Sequence, residues 1–308
     1  MKIIFAGTPD FAVPALQMLI DSEHKVCAVY TQPDRPAGRG RKLAPSPVKA
    51  LALAANIPVF QPETLKADED IAMLASLDAD LMVVVAYGLM LPQAVLDAPK
   101  QGCINIHGSL LPRWRGAAPI HRAVIAGDKK TGVTIMRVIK KLDAGDMLHK
   151  EACDIEPHHT SSDLHDKLAE LGAIGCQKVI AQIDNGALVA EKQDEALVTY
   201  ASKLDKSEAI LDWQLSALVL DRMVRGLNSW PVAQTLFKGK VLRIWKASVS
   251  DNEMALSSGL ASQQGKQMLV GTGQGNLSLL EVQLPGGKRM DIQAFLNAHE
   301  VNGVELGE

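Results

Sequence analysis

Leu81-Met82-Val83-Val84-Val85-Ala86 is an unbroken apolar run with three consecutive β-branched residues. A strand with one face in water alternates polar and apolar side chains, so a run like this implies a strand covered on both faces. Further apolar runs lie at residues 2–6, 25–31, 57–60, 103–106 and 132–138. Helical patterning separates them: after the turn Gly7-Thr8-Pro9-Asp10, Phe11, Ala15, Leu16, Leu19 and Ile20 recur at the spacing of one helix face. Strands alternating with helices predict an α/β fold, a Rossmann-like, mostly parallel sheet with helices on both faces.

This pattern ends in a long helix. Thr160 and Asp163 have the spacing of a capping box, Leu164, Leu168 and Leu171 mark one face, and Asn185-Gly186 stops it. Beyond it the character changes. A polar stretch at 191–195 and a Lys/Asp/Ser-rich one at 203–208 precede a helix over residues 213–227 and then short strands broken by glycine turns. That succession predicts a smaller β-barrel of OB-like type. The 308 residues therefore read as two domains, at about 150 residues each by the usual scaling. The first is expected over residues 1–188 and the second over 208–308, with a linker at 189–207.

Composition removes several classes. No apolar run approaches the ~18 residues of a membrane span, and the opening apolar stretch is too short for a signal peptide. The four cysteines (Cys27, Cys103, Cys153, Cys176) lie far apart with no C-x-x-C, which fits reduced thiols in a cytoplasmic protein rather than disulfides or a zinc site. The histidines at 158, 159 and 165 have no metal-ligand pair at i, i+4, so no metal is expected. The first strand is followed by a single glycine and an acid, Gly7-Thr8-Pro9-Asp10, where a dinucleotide fold needs G-x-G-x-x-G; no dinucleotide is expected. Gly271-Thr272-Gly273-Gln274-Gly275 lacks the Lys-Ser/Thr of a P-loop and reads as a hairpin turn.

The chemistry concentrates in Asn105-Ile106-His107-Gly108-Ser109-Leu110-Leu111-Pro112-Arg113-Trp114-Arg115. It begins on a strand and runs into a turn at the strand's C-terminal end, the edge at which open α/β sheets bind ligands. Asn105 and His107 are two apart, so an amide donor and an imidazole share one face. Such a pair can hold a developing oxyanion and move a proton. Asp143, in Leu142-Asp143-Ala144-Gly145-Asp146, supplies a carboxylate that could orient the histidine or serve as a turn former. No G-x-S-x-G elbow and no cysteine beside a base is present, so direct transfer between two bound substrates is expected rather than a covalent enzyme intermediate.

The chain resembles the tRNA-acting branch of the folate-dependent formyltransferase superfamily. The resemblance rests on Phe5-Ala6-Gly7-Thr8-Pro9-Asp10-Phe11, on Gln32-Pro33-Asp34-Arg35-Pro36-Ala37-Gly38-Arg39-Gly40, on the 105–115 segment and on 142–146, and it spans essentially the whole chain. It implies transfer of a formyl group from 10-formyltetrahydrofolate, as co-substrate, to the α-amine of initiator methionyl-tRNA. It also implies catalytic roles for Asn105, His107 and Asp143, and folate contacts at Ser109, Leu110, Leu111 and Pro112. A monomer is expected.

The formal charge of −3 hides local excesses. Residues 34–49 carry Arg35, Arg39, Arg41, Lys42 and Lys49 against Asp34 alone, a net of +4. Their prolines and glycines predict a long loop without regular structure, and the family's tRNA-recognition arginine matches Arg39, with Arg41 and Lys42 beside it. Residues 206–250 again carry +4, including Lys206, Lys238, Lys240 and Arg243, with Trp230, Phe237 and Trp245 interleaved. Those aromatics are expected mostly in the core, and the cations are expected to meet tRNA phosphates. Three rival readings remain: a related formyltransferase acting on an amino sugar or a glycinamide nucleotide, a formyl-folate hydrolase, and a non-catalytic tRNA-binding protein.

Overall fold

Leu81–Val85, five consecutive buried residues, form the strand around which the first sheet is organised. The computed structural model describes residues 1–37, 42–252 and 254–307. Its first half runs β1 (Lys2–Gly7), α1 (Val13–Ile20), β2 (Lys25–Tyr30), β3 (Arg35–Ala37), β4 (Lys42–Ala44), α2 (Pro47–Ala54), β5 (Val59–Phe60), α3 (Asp68–Ser76), β6 (Leu81–Val85), α4 (Gln93–Asp97) and β7 (Cys103–His107). There follow β8 (Arg115–Gly116), α5 (Pro119–Ala126), β9 (Lys130–Arg137), β10 (Met147–Asp154), α6 (Ser161–Asp184) and β11 (Tyr200–Ala201). Seven strands form one sheet in the order β10-β9-β7-β6-β1-β2-β5. From β7 to β5 every pairing is parallel, and β9 and β10 add an antiparallel edge.

The helix α6 starts where its capping box predicts. The Thr160 N–H donates to Asp163 Oδ2 at 2.9 Å, and the Asp163 N–H donates to Thr160 Oγ1 at 3.2 Å. Two features depart from expectation. After the buried Met147 and Leu148, β10 alternates half-buried and exposed residues, so it lacks the continuous apolar run that marks the inner strands. The stretch expected to be an irregular loop at 34–49 pairs Arg35 with Ala44 and Pro36 with Leu43 in a two-stranded ribbon. Its last part begins α2, with the Ser46 hydroxyl accepting from the Lys49 N–H and Pro47 in the first turn. Proline is compatible with an edge strand and with a helix's first turn, so its presence did not exclude either. Arg39 and Arg41 lie outside the described residues, as does the Lys42 side chain.

The second half runs α7 (Ala217–Gly226), β12 (Gln234–Phe237), β13 (Lys240–Ser250), β14 (Ala261–Gln264), β15 (Gln267–Gly271), β16 (Asn276–Gln283), β17 (Met290–Asp291) and α8 (Ile292–Ala298). The strands form one antiparallel sheet in the order β12-β13-β16-β15-β14, with β17 on β16. The barrel expected is a half-barrel: the pairing path is open, with β12 and β14 at its ends. Leu220 and Val224 of α7 are buried, as are Leu242, Ile244, Leu277, Leu279 and Phe295.

Two compact units emerge, and they do not follow a single cut in the chain. One comprises Met1–Pro119, Lys130–Asp154 and His165–Ala201; the other comprises Ile120–Lys129, Ile155–Leu164 and Ser202–Glu308. Among the described residues, no helix is long and apolar enough to cross a membrane.

Candidate active site

β7 ends at His107 on the C-terminal edge of the first sheet, and Asn105 lies two residues earlier on the same strand face. His107 is buried, at 6% exposure. Its Nε2 lies 2.9 Å from the Trp114 carbonyl oxygen. A carbonyl can only accept, so Nε2 carries the proton, and in the neutral ring Nδ1 is the free base. That Nδ1 lies 3.7 Å from Asp143 Oδ2. The half-buried Asn105 side chain has no hydrogen-bond partner among the described residues, so its amide is free for a ligand.

The carboxylate is held by Gly116, and the backbone of its turn by Arg115 acting through Gln193. The Gly116 N–H donates to Asp143 Oδ2 at 2.8 Å. Gly116 has φ +120°, and a Cβ there would stand 2.7 Å from the Ala201 carbonyl oxygen, so glycine is required where β8 meets β11. Arg115 is fully buried, its Nε donating to Gln193 Oε1 at 2.9 Å and its Nη2 to Glu195 Oε1 at 2.9 Å. Gln193 in turn donates to the carbonyls of Asp143 and Gly145, both at 2.8 Å. Asp143 itself adopts φ +47°, a left-handed conformation that aspartate tolerates better than most residues.

The expected folate-contacting residues separate into two kinds. Ser109 is wholly buried, its hydroxyl donating to the Arg113 carbonyl at 2.7 Å, and Leu111 is buried against Met136 and Met147. Thr134 ties down the turn, donating to the Ser109 carbonyl at 2.7 Å and accepting from the Leu111 N–H at 3.0 Å. Leu110 and Pro112 are the half-buried members and keep apolar surface available. Lys206 and Arg243 line a cavity in the second unit, whereas Lys238 and Lys240 flank the turn between β12 and β13.

Sequence reasoning passed over Gln193 and gave Arg115 no part to play. Neither sits in a local pattern with catalytic spacing; only pairing of residues about 80 apart reveals them.

Residues 1–180 match the family described as formyl transferase, and residues 203–300 match its C-terminal domain. The chain belongs to the formyl transferase family. It is 56% identical to the methionyl-tRNA formyltransferase of Methylococcus capsulatus over 307 residues, covering 100% of both chains. A second formyl transferase relative, the methionyl-tRNA formyltransferase of Hydrogenovibrio crunogenus, is 54% identical, with 100% of this chain and 99% of that one covered. The formyl transferase fold is shared with WlaRD, a sugar 3N-formyl transferase solved in the presence of dTDP and 5-N-formyl-THF. The TM-score is 0.69 at 16% identity, over 94% of this chain and 99% of that one.

Proposed function

We propose that this formyl transferase moves the formyl group of 10-formyltetrahydrofolate to the α-amine of methionine on initiator tRNA. The observation that carries the chemistry is His107 fixed between the Trp114 carbonyl and Asp143, with the unpartnered Asn105 amide on the same strand face. The identity of the acceptor is supported by full-length relatives above 50% identity that bear that name.

The free amide fits a carbonyl substrate. As the amine attacks the formyl carbon, negative charge builds on the formyl oxygen, and Asn105 Nδ2 donates to it. His107 Nδ1 is the basic nitrogen able to take the amine's proton, and the resulting imidazolium is stabilised by the Asp143 carboxylate. Nδ1 and Asp143 together form a two-group path along which that proton reaches the departing folate nitrogen. No covalent enzyme intermediate is needed. Leu110 and Pro112 supply apolar surface for a flat ring, while Ser109 and Leu111 hold the turn that presents them.

Catalysis is assigned to residues 1–188 and tRNA binding to 208–308, with 189–207 between them. Arg39, Arg41 and Lys42 are assigned to the acceptor end of the tRNA, and Lys206, Lys238, Lys240 and Arg243 to its phosphates. The enzyme works as a cytoplasmic monomer. Affinity for tRNA then falls steeply with salt, as phosphate neutralisation requires.

The test is to incubate the protein with 10-formyltetrahydrofolate and methionyl initiator tRNA and to follow formyl-methionine. Its appearance supports the reading. Free formate without formyl-methionine would instead indicate a hydrolase, and a product seen only with an amino sugar would reassign the acceptor.

A further inference from the structure

The second unit contains a cavity of about 320 Å3, at the small end of the about 300–1,000 Å3 typical of ligand pockets. Its walls include two indoles, Trp230 and Trp245, and two cations, Lys206 and Arg243. Trp230 leaves 48% of its surface in solvent, although so large an apolar group ordinarily packs inward. Neither Lys206 nor Arg243 has an ion-pair partner among the described residues, whereas neighbouring Arg122 and Arg225 are both matched to acids.

Trp245 is placed by a local irregularity of the sheet. Ile244 faces Val282 and Lys246 faces Glu281, so Trp245 is the extra residue of a β-bulge in β13. A bulge re-aims the side chain it carries. The Trp245 carbonyl accepts from Asn228 Nδ2 at 3.0 Å, and its indole N–H donates to Gln283 Oε1 at 3.0 Å. Arg289 stacks 4.1 Å from its ring and is itself bound through two nitrogens to Glu281. The ring is therefore fixed in place before any ligand arrives.

An exposed indole and a half-buried one, beside two cations without an ion pair among the described residues, match one ligand chemistry, a planar base joined to a phosphate. Bases inside a duplex are stacked on one another and offer no free face. We infer that this pocket binds a single unpaired nucleotide of the tRNA, its base stacked on Trp230 and its phosphate between Lys206 and Arg243. The inference rests on the tRNA reading above.

The experiment uses the full-length enzyme and measures both Kd for uncharged initiator tRNA and KM for the charged form. Trp230→Ala is expected to weaken both by about tenfold, the loss of one base stack, and Trp230→Phe to stay within about threefold of the parent. Lys206→Ala and Arg243→Ala are each expected to lower the slope of log Kd against log[salt] by about one. Unchanged Kd and KM in Trp230→Ala would overturn the inference, and so would equal losses in the Ala and Phe variants. Titration with 5′-AMP covers the other source of the same chemistry: tight binding of AMP at this pocket, with tRNA affinity unaltered by Trp230→Ala, would make it a free-nucleotide site and overturn the inference. A parent enzyme that binds tRNA but forms no formyl-methionine would sink the functional reading alone, because the Kd comparison still decides the pocket.

Discussion

The side-chain amide of Gln193 donates to the backbone carbonyl of Asp143 at 2.8 Å. Its second hydrogen goes to the Gly145 carbonyl, also at 2.8 Å, and its oxygen accepts from buried Arg115. One amide thus fixes both ends of the turn that faces His107. Gln193→Leu keeps the bulk and removes both donors, and kcat should fall by up to about 10²-fold, the cost of an ångström-scale misplacement. Gln193→Glu should fail to rescue, because a carboxylate cannot donate to two carbonyls. The KM for tRNA should not move in either variant. Full kcat in Gln193→Leu would remove Gln193 from any positioning role.

Asn105 and His107 should differ in their pH behaviour. Asn105→Ala removes an oxyanion donor and should lower single-turnover rates by about 10²–10³-fold at every pH. His107→Asn removes the basic nitrogen that takes the amine's proton, so the rate should also lose whatever pH dependence that general base confers. A His107→Asn enzyme with the parent pH profile would show that another group carries the proton.

Part of this arrangement was legible from local pattern and part was not. The buried run at β6 announced a sheet covered on both faces, and the two-residue spacing put Asn105 and His107 on one face of β7. Both signals depend on neighbours in sequence. β10 escaped notice because three consecutive polar residues, His149-Lys150-Glu151, interrupt its apolar ones, and the β3–β4 ribbon because prolines were read as breakers. Gln193 lies 50 residues from Asp143 and 78 from Arg115, so only the folded chain brings the three together. The three aromatics among these charges are expected mostly in the core; Phe237 is buried, but Trp230 is half exposed beside Lys206.

Gly145→Ala should be costly for a steric reason. A Cβ at this position would stand 1.9 Å from the Arg137 carbonyl oxygen, and backbone cannot yield as a flexible side chain would. The turn must shift, and Asp143 with it. The expected result is a loss of kcat alongside reduced thermal stability. Parent kcat in the alanine variant would show that Asp143 can move without consequence.

The thiols should separate by burial. Desolvation pushes Cys103 and Cys176 up to about 12. At pH 8 on the order of one thiol in ten thousand is then ionised, and neither is accessible. Cys27 and Cys153 are partly exposed and raised more modestly, again by desolvation. A disulfide-exchange reagent should label two thiols slowly in the native enzyme and four after denaturation. Rapid native labelling of all four would contradict this burial.

Glu208 should govern part of the acid stability of the second unit. Arg122 Nη1 and Nη2 bind its two carboxylate oxygens at 2.5 and 3.0 Å. Hydrogen bonding by Arg122, with that from the Asp205 N–H, holds Glu208 below its usual value of 4.5. A carboxyl depressed in the folded state binds fewer protons there than in the unfolded chain, so its contribution is complete above 4.5 and fades as pH falls through the depressed value. Glu208→Gln cannot titrate. Its urea midpoint should be lower than the parent's at pH 6, and the gap should narrow as pH drops below 4. A gap that stayed constant from pH 6 to pH 3 would mean that the pair contributes by packing alone, with the charge of Glu208 playing no part.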